Sequence, residues 1–268
     1  MNLLLNKDYV FKRKRIGRVG IIDVGSNSVR LVVFAGFSRS PTYFFNEKVL
    51  CGLGKGLSQN RKLNLQGKEK AIRAIKRFVT ITKTMNLTEL VGVATAAVRN
   101  AIDGTQFVMQ VQKETSLQLY VASGLEEAEL SANGVLLGWP DAVGIVCDIG
   151  GGSLEVADVD NGKVGVCGTS GLGALVLSDF PGDSSQLRDH IKRSVDILVS
   201  NSKVSSKNLF LVGGSFRAFA KVDMSLASYP LKVLHEYKIT RNQALETAIK
   251  ITQLDTNELI SLCGSSPE

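Results

Sequence analysis

Short blocks of alternating apolar and polar positions run along this chain, and two of them share one pattern. Residues 143–159, VGIVCDIGGGSLEVADV, read as an apolar run Val143–Cys147, then Asp148, then Gly150, Gly151, Gly152 and Ser153, then a second alternating run. Residues 19–34, VGIIDVGSNSVRLVVF, repeat the arrangement. With Asp23 on Asp148, Gly25 falls on Gly150, Ser28 on Ser153 and Arg30 on Glu155. Each block predicts a strand, a tight glycine turn and a returning strand. The repeat predicts two similar domains, each opening with a β-hairpin whose tip faces a shared cleft.

The rest of the pattern fills in around these hairpins. Gly20–Asp23 and Val29–Phe37 form the first, and Tyr43–Leu50 a third strand. Residues 51–60, CGLGKGLSQN, read as a glycine-rich loop that either approaches a ligand or turns at the surface. Ala71, Ile72, Ile75, Phe78, Val79 and Thr82 share helical spacing, so 65–85 is a helix. Strands follow over 89–95 and 117–122, with a helix between them over 103–114. Ser123 caps a further helix that ends at Trp139-Pro140-Asp141, taken as the domain junction. The second half has strands near 143–149, 153–159 and 162–168, the last two joined by the hairpin signal Asn161-Gly162. Helices are expected over 185–200, 216–222 and from Thr240 through Leu254, with a strand at 209–212. The end, CGSSPE, is expected to be unstructured.

Bulk properties narrow the class. Hydrophobic residues make up 44% of the 268, enough for a real core, and no apolar run approaches the length of a membrane-spanning helix. There is no continuous apolar signal core at the N-terminus. The four cysteines, Cys51, Cys147, Cys167 and Cys263, lack C-x-x-C spacing and are expected to be free thiols in a reducing cytoplasm. Two histidines make a His-based zinc site implausible. Of the net charge of +7, the first 18 residues carry +5, so they read as a basic leader, expected to be disordered; it either collects a polyanion or is simply solvated. No aromatic-rich basic motif accompanies the charge, so no specific nucleic acid is expected.

Candidate chemistry sits at the turns. Three consecutive glycines offer nothing to pack and cost entropy to order. They suit a backbone that turns sharply and cradles phosphate oxygens with successive amides. Asp148 and Glu155 flank this turn, which makes sense if a divalent cation lies between them and the phosphates. A tight hairpin with incidental acids is the plain alternative. In the first block, Arg30 stands in place of Glu155, bringing a cation to the ligand. Thr95-Ala-Ala-Val-Arg99 reads as a loop after a strand that presents a guanidinium to an anion, or as a structural salt bridge. Glu126 and Glu127 fall in the first turn of the helix capped by Ser123, where the dipole favours acids for structural reasons alone. Being adjacent, they point in different directions. Gly213-Gly214-Ser215, after a strand and before a helix, is a usable nucleotide or phosphate turn.

Together these residues resemble one family closely, exopolyphosphatase / guanosine pentaphosphate phosphohydrolase. The matching pieces are IIDVGSNSVRLVV, VATAAVRN, SGLEEAEL, VCDIGGGSLEV, GTSGLGA and LVGGSFRAFAK, in the family's order over about residues 19–222. The resemblance implies the actin / Hsp70 / sugar-kinase superfamily: an α/β fold of two ribonuclease-H-like domains around a central cleft, here 19–140 and 141–268. It implies Mg²⁺-dependent removal of terminal phosphate from polyphosphate or pppGpp, with Glu127, just before the alanine of SGLEEA, as general base. It assigns metal and phosphate binding to Asp148, Gly150–Ser153 and Glu155. A first phosphate loop falls on Asp23, Gly25, Ser26, Asn27 and Ser28, and a phosphate-binding arginine on Arg99. Leu154 and Ser215 stand where the family usually has threonine. Family members also continue past a region like LHEYKIT with helices and a strand, so the second domain is expected to be incomplete at its C-terminus. Apolar surface left uncovered there would favour association, including a homodimer. Two rivals remain at this stage: a kinase or ATPase of the same superfamily, with Gly213–Ser215 serving adenosine, and a non-catalytic polyphosphate or pppGpp sensor.

Overall fold

A computed structural model describes residues 17–36, 42–204 and 208–263. The leader reading thus falls mostly outside the described residues. Gly17 and Arg18 are the exceptions, and Arg18 is no part of a leader: it begins the first strand, donates from Nη1 to Met85 O at 3.1 Å and lies over the Phe44 ring. The chain divides into two compact units, Met1–Lys55 with Asn60–Ala122 and Gly56–Gln59 with Ser123–Glu268.

In the first unit, β1 (Arg18–Val24), β2 (Ser28–Phe34) and β3 (Tyr43–Leu50) form an antiparallel meander. A short helix α1 (Leu57–Asn60), most of which groups with the second unit, interrupts the glycine-rich loop, and α2 (Leu65–Lys83) follows. Asn64 caps α2 by accepting from Gly67 N. Strand β4 (Leu87–Ala94) returns parallel to β1. Thr95–Arg99, read as a loop, is folded instead into α3 (Ala96–Asn100), because two alanines after an N-cap threonine favour the helix. Then come α4 (Gly104–Thr115) and β5 (Leu119–Val121), parallel to β4. The sheet order is β3-β2-β1-β4-β5. Ile22, Val24, Val29, Leu31 and Val33 are fully buried on one face, against Ile75 and Phe78 of α2. Each such side chain contributes about 1.5–3 kcal/mol of transfer free energy. The buried Asp103 joins α4 to the start of α2 by accepting from Leu63 N and the Lys68 ammonium, at 2.9 and 2.8 Å.

The second unit opens with α5 (Gly124–Gly138), then β6 (Gly144–Ile149), β7 (Leu154–Asp160) and β8 (Lys163–Ser170). Next are α6 (Ala174–Ser178), α7 (Ser184–Val199), β9 (Leu209–Val212), α8 (Gly214–Leu226), α9 (Arg241–Ile251) and α10 (Thr256–Cys263). The sheet order is β8-β7-β6-β9, with β9 parallel to β6. Both units therefore contain the ribonuclease-H-like arrangement of three antiparallel strands followed by a parallel one, as the repeat predicts. Among the described residues, no strand occupies beside β9 the place that β5 holds beside β4. The expected junction at Pro140 is corrected: the units divide between Ala122 and Ser123. The reason is packing. Ala128, Ala132 and Val135 of α5 are buried against Val146, Ala157 and Val159, and Trp139 stacks on His235 and packs near Phe210. Pro140 lies in a tight turn closed by Ala142 N to Trp139 O, not in a linker.

Helices α6 and α10 were not foreseen; α10 lies on α8, where Ser225 Oγ donates to Leu262 O at 2.8 Å. Of CGSSPE, Cys263 closes α10 and the rest lies outside the described residues. All four cysteines are free thiols. Among the described residues no helix is long and apolar enough to cross a membrane.

Candidate active site

The face of the second sheet beneath α5 changes character along its length. Val146 pairs with Ala157, which pairs with Cys167, and this apolar row packs under the helix. Two residues further along, on the same face, Asp148 pairs directly with Glu155, which pairs with Thr169. Opposed residues on neighbouring strands place their Cβ atoms about 4.5–5.5 Å apart, and like charges so placed repel. Glu155 is nevertheless buried, at 4% exposure. Thr169 Oγ1 donates to Glu155 Oε1 at 3.0 Å, and Ser131 Oγ of α5 donates to Asp148 Oδ2 at 2.5 Å.

The glycine turn lies immediately beyond Asp148. Gly150 N donates to Ser153 O at 2.9 Å, and the chain folds back over the turn through Ala174 N to Gly150 O and Leu175 N to Gly151 O. Gly173 sits so close that a Cβ there would lie 2.3 Å from Ser153 N. Gly213, at φ +106°, brings the start of α8 against the same edge; a Cβ would lie 2.6 Å from Ile149 O and 2.9 Å from Asp148 Oδ1. No side chain caps α8, so its first amides are available to an anion there.

The two glutamates of α5 separate into distinct roles. Glu126 Oε2 accepts from Ser123 N and Ser123 Oγ, both at 2.8 Å, and completes a capping box with Glu126 N to Ser123 Oγ. Glu127 lies one turn before Ser131 and three residues after Gly124, so it shares the face that meets the carboxylate pair. Gly124 seats that first turn on Thr169: a Cβ there would lie 2.5 Å from Thr169 Oγ1.

The first unit repeats the geometry with opposite charge. Gly25 N donates to Ser28 O at 2.9 Å, matching the Gly150 bond. Gly54 N donates to Ser26 O, and Cys51 N and Gly52 N both donate to Asn27 O, so residues 51–54 brace this turn as 173–175 brace the other. Ser26 is buried and Asn27 exposed. Across the three strands, Asp23 pairs with Arg30 and Arg30 with Lys48. The row Asp-Arg-Lys thus stands where the second unit has Asp-Glu-Thr. Arg30 Nε also donates to Asn46 Oδ1 at 2.8 Å. Arg99, on α3, donates from Nη1 to Ala122 O at 2.7 Å, which places it at the C-terminal ends of β4 and β5.

Each unit therefore gathers its own expected residues. Asp148, Gly150–Ser153, Glu155, Gly213 and Gly214 converge in one, with Glu127 on the adjoining helix face. Asp23, Gly25–Ser28 and Arg30 converge in the other. Ser131, Thr169 and Lys48 were missed. Ser131 is signalled only by its four-residue spacing from Glu127. The sequence pattern ends the strand near Gly168, whereas β8 continues through Ser170 and brings Thr169 into the sheet. Lys48 and Thr169 correspond through strand pairing but not through sequence offset, because residues 35–42 join one pair of strands and 161–162 the other.

Among the described residues no cluster of three or more His, Cys, Asp or Glu is placed to hold a metal. The Asp148–Glu155 pair supplies oxygen only, which suits Mg²⁺: that ion is commonly held by one or two carboxylates, with water and substrate phosphate completing its shell. Burial, with the charges of Asp148 and Glu155 adding to it, pushes the neighbouring Cys147 thiol up to about 11. It stays protonated at neutral pH and is no nucleophile.

Known proteins place this geometry. Exopolyphosphatase 1 of Mycobacterium tuberculosis is 36% identical over 143 residues, 52% of this chain and 42% of that protein. The Mycobacterium leprae protein of the same name is 32% identical over 171 residues, 62% of this chain and 50% of its own length. The chain spans about half the length of these relatives. In fold it is similar to an exopolyphosphatase from Cytophaga hutchinsonii, with a TM-score of 0.78 at 22% identity over 92% of this chain and 83% of that one. A Ppx/GppA family member from Aquifex aeolicus gives 0.68 at 20% identity, covering 92% and 87%. The family model for Ppx/GppA phosphatases matches residues 32–268, more than four-fifths of the sequence, and this chain belongs to that family.

Proposed function

We propose that this chain hydrolyses phosphoanhydrides, releasing terminal orthophosphate from inorganic polyphosphate or converting pppGpp to ppGpp in the cytoplasm. The observation that carries the reading is the opposed, hydroxyl-bonded pair Asp148 and Glu155 at the foot of a glycine turn, with Glu127 on the helix face above. Hydrolysis of this bond needs charge neutralisation, a placed water and a base. The amides of the Gly150–Ser153 turn and the first turn of α8 bind phosphate oxygens. Glu127 orients the attacking water and takes its proton. Asp148 and Glu155 would hold Mg²⁺, which when bound would supply positive charge to offset the charge developing on the leaving oxygen. In the first unit, Arg30, Lys48 and Arg99 offer cations to a polyanion, with the Gly25–Ser28 turn beside them.

The test is phosphate release by the purified chain from polyphosphate and from pppGpp, with and without Mg²⁺, beside Glu127→Gln. Mg²⁺-dependent release that Glu127→Gln abolishes supports the reading. Tight binding with no turnover would leave a sensor, and phosphate transfer from ATP to a sugar would leave a kinase; either overturns it.

A further inference from the structure

Ser131 stands in the interior of α5, beside the inward-facing residues Ala128, Ala132 and Val135. A serine there is usually neutral to unfavourable and tends to return its hydroxyl to the carbonyl one turn back. This hydroxyl instead leaves the helix and donates to Asp148 Oδ2 at 2.5 Å. Thr169 does the same for Glu155 Oε1 from the neighbouring strand, at 3.0 Å. Both donors also register α5 against the sheet, Ser131 directly and Thr169 through its contact with Gly124. Glu127 lies between these two anchor points. On its other side the Asp148 carboxylate meets Gly213, where any Cβ would crowd Oδ1.

We propose that Ser131 and Thr169 are positioning residues that aim Asp148 and Glu155 at one shared divalent cation and hold it in register with Glu127. The inference rests on the phosphohydrolase reading for what the cation does, not for whether it binds. Two opposed carboxylates left to themselves turn away from one another. A hydroxyl on one oxygen of each fixes the carboxylate plane and leaves acceptor sites directed elsewhere. It does so without cancelling the charge that attracts the cation. The first unit supplies the contrast: there Arg30 and Lys48 occupy the strand positions of Glu155 and Thr169, so basic residues stand where the second unit has an acid and a hydroxyl. Mg²⁺ demands near-octahedral geometry, so it is sensitive to loose ligands.

The experiment measures Mn²⁺ affinity, as a paramagnetic stand-in for Mg²⁺, on the purified full chain without substrate, alongside melting temperature and the Mg²⁺ dependence of hydrolysis. Partners that orient ligating carboxylates are worth about 10–100-fold in affinity. Ser131→Ala and Thr169→Val are each expected to weaken Mn²⁺ binding by about tenfold or more, while Thr169→Ser stays within about threefold. The melting temperature of Ser131→Ala should fall by only a few degrees, since the better helix propensity of alanine partly offsets the lost bond to Asp148. The Mg²⁺ concentration for half-maximal rate should rise in parallel, with kcat at saturating Mg²⁺ falling less. Glu127→Gln should lose kcat and keep its Mn²⁺ affinity. Parental Mn²⁺ affinity in both hydroxyl variants overturns the proposal, as does affinity lost only in step with melting temperature. A parent chain that binds no Mn²⁺ overturns it together with the metal role in hydrolysis. Hydroxyl-dependent Mn²⁺ binding without any phosphate release sustains it and rejects the hydrolase reading alone.

Discussion

Glu126→Ala and Glu127→Gln are expected to fail in opposite ways. Adjacent helical residues point about 100° apart, and the structure ties only Glu126 into the capping box. Its carboxylate accepts two bonds of 2.8 Å at Ser123, one from a backbone amide that begins the helix. Glu126 is half-buried, so water replaces part of what is lost, and the cost should be about 1 kcal/mol. For a unit of this size that corresponds to a melting temperature lower by about 2–4 °C. Glu127→Gln keeps shape and reach but cannot take a proton, so kcat should fall on the order of 10²–10⁴. That corresponds to about 3–5 kcal/mol in the barrier, with melting almost unmoved. Substrate should bind at least as tightly, because one negative charge near the polyanion is gone. The assay is kcat on polyphosphate with filter-retention binding and melting curves for both variants. If Glu126→Ala is the variant that loses rate, Glu126 and not Glu127 faces the carboxylate pair. If neither loses more than about tenfold, the base lies elsewhere.

Arg99→Ala should weaken substrate binding by about tenfold or more while lowering the melting temperature by only a few degrees, since its bond to Ala122 O is one neutral acceptor at the sheet edge; isothermal titration and melting decide it, and equal losses in both would leave a purely structural arginine. Burial works against ionisation of Asp103, but the Lys68 ammonium and the Leu63 amide outweigh it and hold the carboxyl below its usual range. Its contribution is therefore present above the unfolded pKa of about 4 and lost as pH falls through the lower folded value. Lys68→Met should flatten that acid-side loss and, because it removes the charged partner of a buried carboxylate, cost about 1–3 kcal/mol at neutral pH, read from melting at pH 7 and pH 3.5. Finally, β9 is a sheet edge with Leu209 and Leu211 exposed at 62% and 43%, so Leu211→Lys should reduce self-association in sedimentation velocity; an unchanged distribution would show that this edge is not the contact.

Much of this was legible in the residue pattern because strand pairing leaves short-range traces. Asp-x-Gly turns between alternating runs announced both hairpins, and the repeat carried the two-unit fold with it. Ser123 followed three residues later by Glu126 announced the start of α5. What escaped depends on pairing across distance. Apolar and small residues in α5 do not say which sheet they will cover, so the proline after the helix was mistaken for the junction. Thr169 and Ser170 looked like loop because glycines follow at once, yet β7 extends far enough to pair with both. Lys48 could not be matched to Thr169 by counting, since the hairpin connections differ in length. Ser131 leaves no trace in the sequence beyond its spacing from Glu127, because a lone helical serine acquires meaning only from the carboxylate it meets.

The grouping of α5 with the second sheet bears on how this machinery could be divided or rearranged. Glu127, Asp148 and Glu155 all belong to the second unit, so the spacing among these three carboxylates is set within it. A break in the chain between residues 140 and 141 would part Glu127 and Ser131 from the paired acids, whereas a break before Ser123 would leave all three carboxylates and both hydroxyls in the same fragment. The three carboxylates travel together in any such division, and the first unit keeps its own cationic row.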